Sequence, residues 1–288
     1  MARVTVVGSV NLDAVYGVPA LPRPGETVLA ASSSLGPGGK GGNQAVAAAR
    51  AGAQVQLVAA LGEDTAAHRL RAHLRDNGVG LDGVSTLPVP SGAAVILVEE
   101  DSAENVIVVA PGANAHLTLD SQRVRDIVGD CDVLLLQLEI PLPTALAAAR
   151  QARSTGATVL LNASPPGADP ALLAELAAEV DVVVVNESEA AQWRWPVPHL
   201  VITRGADGAT YTGPNGEFAV SSPAVEALDT SGAGDVFAGV LAAGWSRDPR
   251  EALRRACAAG ALATLTPGAG DCAPTDEAIE DVLALGAG

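Results

Sequence analysis

The sequence predicts an α/β protein in which helices cover both faces of a mostly parallel β sheet. Apolar, strand-like runs alternate with alanine-rich helical stretches along most of the chain, which is the pattern of right-handed β-α-β units. Hydrophobic residues form 48% and aromatic residues 2% of the 288 residues. The core must therefore consist mainly of Ala, Val and Leu, which suits helices packed on a parallel sheet.

The chain supplies strands and helices in the order that this architecture requires. Six apolar runs are predicted to be buried strands: Val4–Val7, Gln56–Ala59, Val133–Leu136, Thr158–Leu161, Val182–Val185 and Leu200–Thr203. Four helices are predicted among them: Asn43–Ala51, Ala66–Asp76, Pro143–Arg153 and Pro170–Ala178. Three more helices are predicted in the C-terminal third: Gly234–Ala243, Pro249–Thr264 and Thr275–Leu285.

Two segments interrupt the alternation, residues 11–35 and 91–110. They are predicted to contain short strands, for example Ala93–Glu99 and Asn105–Val109 on either side of a polar turn at 100–104. The pattern fits a small β sheet that projects from the core as a flap, and it fits a pair of ordinary surface hairpins equally well. Neither an internal repeat nor a low-complexity linker divides the chain, so residues 1–288 are expected to form a single domain.

The charge and the cysteines indicate which partners and which compartment to expect. The formal net charge is −16, from 33 acidic and 17 basic residues, and repulsion argues against nucleic acid or an anionic membrane as partner. A nucleotide is still permitted, because the N–H groups at a helix start hold phosphates without basic side chains. The three cysteines form no C-x-x-C pair, the histidines show no metal-binding spacing, and no run reaches the roughly 18 apolar residues of a membrane span. A reduced, cytoplasmic protein is expected.

The strongest chemical signal is the run Asp229-Thr-Ser-Gly-Ala-Gly-Asp235, which enters an apolar helix. The first N–H groups of a helix have no partner within it, so this glycine turn is predicted to form an anion cradle. Asp235 lies in the first helical turn, where its carboxylate could accept a proton from a substrate hydroxyl while the cradle stabilises a phosphoryl group in transfer. A helix cap with a tight turn explains one Asp and one Gly, but not the spacing of two of each.

Asn11 and Asp13 follow the first predicted strand. Ligands of open α/β sheets bind at the carboxyl ends of the strands. The i, i+2 spacing directs both side chains to one face of an extended segment, where they could bind the hydroxyls of a polyol. Taken alone, this segment is better explained by a turn.

A glycine-rich run at residues 36–44 precedes the first predicted helix. It formally satisfies G-x-G-x-x-G, but it contains Pro37, lies well after the first strand, and lacks the Ser or Thr of a Walker A loop after Lys40. These residues are better suited to let the backbone approach a small ligand closely, with Asn43 as donor and acceptor at the helix start. A flexible hinge is the competing interpretation.

Polar residues also follow three later strands. Glu139 comes just after the third strand and is a further candidate for binding a hydroxyl. Asn186 and Glu189 could orient hydrated Mg²⁺ near phosphates, although capping of the next helix explains them about as well. The glycine-rich segment 203–208 could lie along a nucleotide. These positions would share one edge of the sheet.

Taken together, the motifs resemble those of the ribokinase-like (pfkB) family of carbohydrate kinases, nearly from end to end. The matching stretches are Gly8–Asp13, Pro24–Thr27, Gly38–Ala49, Glu104–Val106, Gly112–Asn114, Gln137–Glu139 and Asp229–Phe237. The resemblance implies a three-layer αβα sandwich with a small β-sheet lid formed by about 11–35 and 91–110. It implies an ATP-dependent sugar kinase, with D-ribose as the leading substrate, that forms a homodimer through the lid.

Carried over position by position, the resemblance implies a role for each motif. Asp235 would be the base for the primary hydroxyl of the sugar, with an anion hole for the γ-phosphoryl group at Gly232, Ala233 and Gly234. The implied sugar contacts are Asn11, Asp13, Gly39, Lys40, Asn43 and Glu139. The implied nucleotide contacts are Asn186, Thr203, Gly205, Gly208 and Cys257, with Glu189 acting on Mg²⁺ through water. The implied site for a monovalent cation such as K⁺ consists of Asp229, Ser231, Ala263, Thr266, Gly268 and Cys272.

Three departures from the family pattern keep alternatives open. The stretch between Asn186 and Thr203 is shorter than in the family, Cys257 stands where relatives place Asn or His near adenine, and Cys272 replaces a small polar residue. A sugar-binding regulator without ATP turnover therefore stays possible, as does another sugar or nucleoside kinase of the family. A Rossmann-type oxidoreductase is suggested only by the weak glycine match, and the acidic residue expected about 20 positions after a strand-linked fingerprint is missing.

Overall fold

The computed structural model describes residues 1–100, 102, 104–167, 169–214, 216–245 and 248–285. Nine strands of these residues form a central sheet: β1 (Arg3–Val7), β4 (Gln54–Leu61), β5 (Gly80–Thr86), β8 (Val133–Leu136), β9 (Thr158–Asn162), β10 (Val182–Asn186), β11 (His199–Thr203), β12 (Ala209–Gly213) and β13 (Gly216–Val220). Their order across the sheet is β13-β12-β11-β10-β9-β8-β1-β4-β5. All neighbours from β5 to β11 are parallel, and β12 and β13 add an antiparallel edge.

A smaller, four-stranded sheet stands apart from the central one. It consists of β2 (Asn11–Val18), β3 (Ser32–Gly38), β6 (Gly92–Glu99) and β7 (Asn105–Ala110), in the order β3-β2-β6-β7. Strand β2 is parallel to β6, and the outer pairs are antiparallel. The two interrupting segments of the sequence therefore join in one sheet, not in separate hairpins. The predicted turn at 100–104 includes residues 101 and 103, which lie outside the described residues.

Helices cover both faces of the central sheet. Within the described residues they are α1 (Lys40–Arg50), α2 (Thr65–Asp76), α3 (Gln122–Gly129), α4 (Leu142–Ser154), α5 (Pro170–Ala178), α6 (Glu187–Ala190), α7 (Ala233–Gly244), α8 (Pro249–Ala263) and α9 (Asp276–Leu285). Strand β8 illustrates the two apolar layers: Leu135 belongs to the cluster that includes α1, α7 and α8, whereas Leu134 and Leu136 belong to the cluster that includes α4. Alternate side chains of a strand point to opposite faces, so β8 is buried on both sides.

The predicted fold class is confirmed, and the differences have local causes. Strand β5 and the hairpin of β12 and β13 were not predicted, because polar and glycine residues interrupt their apolar pattern at the sheet edges. Helix α1 begins at Lys40, three residues before the predicted start at Asn43, which was placed too late because Gly41 and Gly42 are poor helix formers by propensity. A Cβ atom at Gly41 would lie 2.6 Å from the carbonyl carbon of Gly8, so only glycine fits there.

That residues 1–288 form one domain stays a prediction. No described helix is long and apolar enough to cross a membrane.

Candidate active site

The N-terminus of α7 has the geometry of an anion-binding turn. Gly232 precedes the helix in the left-handed conformation, with φ of 77°, and a Cβ atom there would lie 2.7 Å from Ala269. Glycine alone adopts this turn without strain. A Cβ atom at Gly234 would meet nothing within 4 Å, so this part of the turn faces open space. The N–H of Ala233 donates to the carbonyl of Thr230 at 3.3 Å, whereas the open surface over Gly234 leaves room for a ligand.

Asp235 is only 7% exposed and lies in the first turn of α7. Its two carboxylate oxygens accept hydrogen bonds from α1. Asn43 Nδ2 donates to Oδ2 and Gln44 Nε2 donates to Oδ1, each at 2.9 Å. The carboxylate is thus held in one orientation beside the glycine turn.

Lys40, the only lysine of the chain, lies next to this carboxylate. Its Nζ atom is 4.0 Å from Asp235 Oδ1. The charge of Asp235 raises the pKa of the Lys40 ammonium above its ordinary value against the opposing effect of burial, and Glu139 and Glu189 add to the increase. Lys40 therefore stays charged and interacts electrostatically with carboxylates from three separate parts of the chain.

Asn11 and Asp13 lie at the start of β2, as a side-chain pair on the same strand. Asn11 Oδ1 accepts a hydrogen bond of 2.8 Å from Asn114 Nδ2, which fixes its amide. Asp13 Oδ1 is buried without a hydrogen-bond partner. Burial raises the pKa of the Asp13 carboxyl to about 6, with smaller contributions from the charges of Glu139 and Asp235. An unpartnered acceptor in this position is suited to bind a ligand hydroxyl.

Glu139 follows β8 and connects two other candidate segments. Its Oε2 atom accepts hydrogen bonds from Ser9 Oγ at 2.6 Å and from the backbone N–H of Lys40 at 3.1 Å. A cavity of about 370 Å³ adjoins Glu139 and Asn11, between the carboxyl ends of β1 and β8 and the end of β7. The predicted sugar contacts are therefore gathered around the α1 N-terminus, as their positions after separate strands had indicated.

The residues predicted to bind the nucleotide are arranged differently. Asn186 caps α6: its Oδ1 accepts from Glu189 N at 2.9 Å, and Glu189 Oε2 accepts from Asn186 N at 2.8 Å. This is the capping box that the spacing also allowed. The charge of Glu189 still reaches Lys40, because it contributes to the raised pKa of that ammonium.

Of the other nucleotide candidates, Thr203, Gly205 and Gly208 lie at or just after the end of β11, and Cys257 lies on α8. Thr203 Oγ1 donates to the carbonyl of Val185 at 3.4 Å. Gly205 and Gly208 have positive φ angles, and the space around Gly205 is open. Cys257 is buried in the core, where its Sγ donates to the carbonyl of Val220 at 3.8 Å and burial raises the pKa of its thiol to about 12. Its thiol is therefore neutral and is already hydrogen-bonded within the core.

The predicted cation loop is closed by Asp229. Its Oδ1 accepts from Ser231 N and its Oδ2 from Gly268 N, each at 2.8 Å. Burial raises the pKa of the Asp229 carboxyl, but these backbone donors outweigh it, and the pKa lies below its ordinary value. Cys272 Sγ lies 3.3 Å from the carbonyl oxygen of Ala269 and 3.7 Å from that of Ser231, and its single S–H can donate to either. Thr266 and Ala263 lie in the turn that ends α8, where Thr266 N donates to Ala263 O.

Sequence reasoning assigned no role to several polar residues that complete this site. They are Ser9, Gln44, Asn114, Gln137 and Asn162, all buried. Gln137 and Asn162 come at the ends of two predicted strands, and Gln44 follows Asn43 in the chain. The sequence therefore places these residues near the site, but it does not predict their hydrogen-bond partners.

Comparisons with known proteins identify the family of this chain. The family model described as pfkB family carbohydrate kinase matches residues 1–195 and 196–276. A ribokinase from Bacillus subtilis is 35% identical over 98% of this chain and 100% of the relative, and one from Haemophilus influenzae is 33% identical over 94% and 95%. The solved structure of Arabidopsis thaliana ribokinase complexed with ribose and ATP is 28% identical, covers 98% of both chains and superimposes with a TM-score of 0.89. The chain belongs to the pfkB family of carbohydrate kinases, as its motifs predicted.

Proposed function

We propose that this protein transfers the γ-phosphoryl group of ATP to the primary hydroxyl of D-ribose, giving D-ribose 5-phosphate and ADP. The observation that carries the proposal is the Asp235 carboxylate, which is oriented by two amides beside the open glycine turn of α7. The similarity to ribokinases over almost the whole chain supports ribose as the substrate. The ribose and ATP of the Arabidopsis structure support ATP as the donor.

In the proposed reaction, Asp235 accepts the proton of the sugar hydroxyl as its oxygen attacks the γ-phosphorus. The bond from this phosphorus to the bridging oxygen breaks, and that oxygen leaves with ADP. Negative charge on the phosphoryl oxygens is stabilised by the turn of Gly232, Ala233 and Gly234 and by the dipole of α7. The ammonium of Lys40, 4.0 Å from Asp235 Oδ1, adds positive charge to the same region.

The sugar is proposed to bind through its hydroxyls to the polar groups around α1. Asp13 Oδ1 supplies an unpartnered acceptor, and Asn11 and Glu139 supply oxygens that are already oriented by protein donors. Asn43 and the backbone at Gly39 and Lys40 complete the contacts. These groups recognise hydroxyls by hydrogen bonds, and a hydrogen-bonding site discriminates strongly against analogues that lack them.

The nucleotide is proposed to lie along Asn186, Thr203, Gly205, Gly208 and Cys257. In the described residues no group of three or more His, Cys, Asp or Glu could hold a metal ion alone. Because Asn186 and Glu189 cap each other, they fit an ion that is held mainly by the phosphates, with Glu189 acting through water. Mg²⁺ would supply neutralisation of the phosphate charge.

A monovalent cation such as K⁺ is proposed to bind in the turn of Asp229. The Asp229 carboxylate and the carbonyls of this turn offer hard oxygen ligands, which fit the ion. The candidates are Asp229, Ser231, Ala263, Thr266, Gly268 and Cys272. The thiol of Cys272 fits less well, because sulfur is a soft donor and its single S–H has the carbonyl oxygen of Ala269 or Ser231 as its acceptor.

The small sheet is proposed to serve as a lid and to join two copies of the chain. All six residues of β7 are exposed, and Ile107 and Val108 are 53% and 63% exposed. An apolar surface of this kind is typical of an interaction site.

Because the proposed donor is ATP, we place the protein in the cytoplasm, and its net charge disfavours nucleic acid as a partner.

The decisive test is an ADP-release assay with Mg²⁺ and ATP over a panel of pentoses, hexoses and nucleosides. We expect D-ribose to give the highest kcat/KM. A higher value for another sugar or a nucleoside would overturn the ribose assignment but keep the kinase. Saturable sugar binding without ADP release would favour the regulator, and hydride transfer to nicotinamide would favour the oxidoreductase.

A further inference from the structure

A chain of buried side-chain amides ends on the proposed base. Gln44 is fully buried, with 0% exposure, and its Nε2 donates to Asp235 Oδ1 at 2.9 Å. The same Nε2 donates to Asn162 Oδ1 at 3.0 Å, and Gln44 Oε1 accepts from Gln137 Nε2 at 2.7 Å. Every hydrogen-bonding group of the Gln44 side chain is therefore used inside the protein.

The orientation of these amides is determined by the acceptors at the two ends of the hydrogen-bonded series. The ionised carboxylate of Asp235 only accepts hydrogen bonds, so Gln44 must present its NH₂ group to it. At the other end, Asn162 Nδ2 donates to the carbonyl of Val184 at 3.2 Å, and a carbonyl also only accepts. Asn162 must then present its oxygen to Gln44. A flipped Gln44 would direct an oxygen at both the carboxylate and Asn162 Oδ1, so only one orientation of the Gln44 amide satisfies the groups around it.

The helices that carry Gln44 and Asp235 are locked at close range. A Cβ atom at Gly239, one turn after Asp235, would lie 2.4 Å from the carbonyl oxygen of Gln44. Only glycine allows the backbones of α1 and α7 to approach so closely. The distance from Gln44 to Asp235 is therefore set by backbone contact, and the side chain has little freedom to leave its position.

From these contacts we propose that Gln44 is a positioning residue for Asp235, anchored by Gln137 and Asn162. This inference rests on the proposed role of Asp235 as base. The charged donor nearest to Oδ1 is the Lys40 ammonium, at 4.0 Å. Gln44 holds Oδ1 against that attraction, so that the carboxylate keeps the orientation in which it meets the sugar hydroxyl. Loss of the amide lets the carboxylate rotate towards Lys40 without removing any sugar contact.

The main test is Gln44→Met, which keeps the side-chain length and removes the amide. We expect kcat to fall about 10- to 100-fold, the range for losing a hydrogen bond to a charged group, while the sugar KM changes less than about threefold. The matched control is Gln56→Met, on β4. Gln56 has a buried oxygen without a hydrogen-bond partner, but it lies outside this network, and Gln56→Met should keep the kcat of the unmodified protein.

The split between kcat and KM separates positioning from a structural role. A loosened α1 would also displace Asn43 and the N–H of Lys40 and would raise the sugar KM together with lowering kcat. That result, or a kcat within twofold of the unmodified protein, overturns the proposal. If Gln44→Met does not fold, Gln137→Met is tested by the same comparison of kcat and KM. This variant keeps the contact between Gln44 and Asp235 but removes the hydrogen bond from Gln137 that anchors Gln44. We expect it to lower kcat about three- to tenfold at unchanged sugar KM, and an unchanged kcat overturns the anchoring.

Asp235→Asn, measured beside these variants, separates the failure of this inference from the failure of the proposed function. Near-normal turnover in Asp235→Asn would remove Asp235 as base and the inference with it. An inactive Asp235→Asn together with an unaffected Gln44→Met would remove only the positioning role.

Discussion

The two halves of the candidate site are built in different ways. On the sugar side, functional groups are held by side chains from other elements, as Asp235 is held by Asn43 and Gln44 of α1. On the nucleotide side, Asn186 and Glu189 are held by each other's backbone within one short turn. The sugar half is thus a tertiary arrangement, whereas this part of the nucleotide half is a local one.

The difference predicts how strongly substitutions in each half should affect catalysis and ligand affinity. A buried network of amides and carboxylates is strong when complete and costly when one member is missing. A capping box contributes about 1 kcal/mol of stability and leaves its outer surface available for a ligand. Changes on the sugar side should therefore affect the chemical step strongly, and changes on the nucleotide side should affect affinity moderately.

The largest effect is expected for Asp235→Asn. Loss of the base should lower kcat about 10²- to 10⁴-fold, while the sugar dissociation constant, measured by calorimetry, changes little. Asp82→Asn serves as control, since Asp82 is an exposed partner of Arg123 on another part of the surface. A kcat near that of the unmodified protein in Asp235→Asn would contradict the mechanism.

The contrast between the halves also explains what the sequence could predict. Asn186 and Glu189 are three residues apart, so their capping box could be anticipated from spacing alone. Gln44 is 93 residues from Gln137 and 191 residues from Asp235. Periodicity places each of these at a strand end or a helix start, but it carries no information on which amide meets which carboxylate.

The same limit applies to the fold. The six buried strands were predictable because both faces of each are apolar. The edge strands β5 and β13 and the neighbouring strand β12 were not, since polar and glycine residues interrupt their apolar pattern. Close approaches such as that of Gly239 to the Gln44 carbonyl depend on how two helices cross, which a single sequence does not specify.

The second prediction concerns pH and the sugar half. Burial first, then Glu139 and Asp235, raise the pKa of the Asp13 carboxyl from 3.8 to about 6. Below about pH 6 the protonated carboxyl no longer offers a charged acceptor to the sugar, so the sugar KM should rise about tenfold per pH unit. The raised pKa stabilises the fold fully below pH 3.8, and this contribution is lost as pH rises through about 6. The increase in KM is therefore not caused by unfolding through this group.

Asp13→Asn is the variant that checks this assignment. It should raise the sugar KM at neutral pH and should abolish the dependence of KM on pH near 6. Thermal unfolding measured over the same pH range controls for stability. An equally steep dependence in Asp13→Asn would mean that another group is responsible.

The third prediction tests the nucleotide half through its capping box. Asn186→Ala removes the cap of α6 and should lower the free energy of unfolding by about 1 kcal/mol. It should also raise the KM for ATP about three- to tenfold and leave the sugar KM unchanged. Asp248→Ala is a matched control, because Asp248 caps α8 by the same type of bond to Glu251 N. The free energy of unfolding of Asp248→Ala should fall by a similar amount, while its KM for ATP stays unchanged. If the KM for ATP rose in Asp248→Ala as much as in Asn186→Ala, a specific role for Asn186 would be contradicted.

The smallest effect is expected at the proposed cation site around Asp229, which adjoins the glycines that are proposed to bind the phosphoryl group. Cys272→Ser replaces a soft thiol by a hard hydroxyl oxygen next to the carbonyls of Ala269 and Ser231. Hard cations prefer oxygen ligands, so activation by K⁺, measured as the ratio of kcat in K⁺ to kcat in a bulky organic cation, should increase about two- to fivefold. Cys131→Ser is the control, since Cys131 is a buried cysteine that bonds to Val128 O away from this turn. An unchanged ratio in Cys272→Ser would show that the side chain at this position does not reach the ion, and that the backbone oxygens alone set the affinity of this turn for the cation.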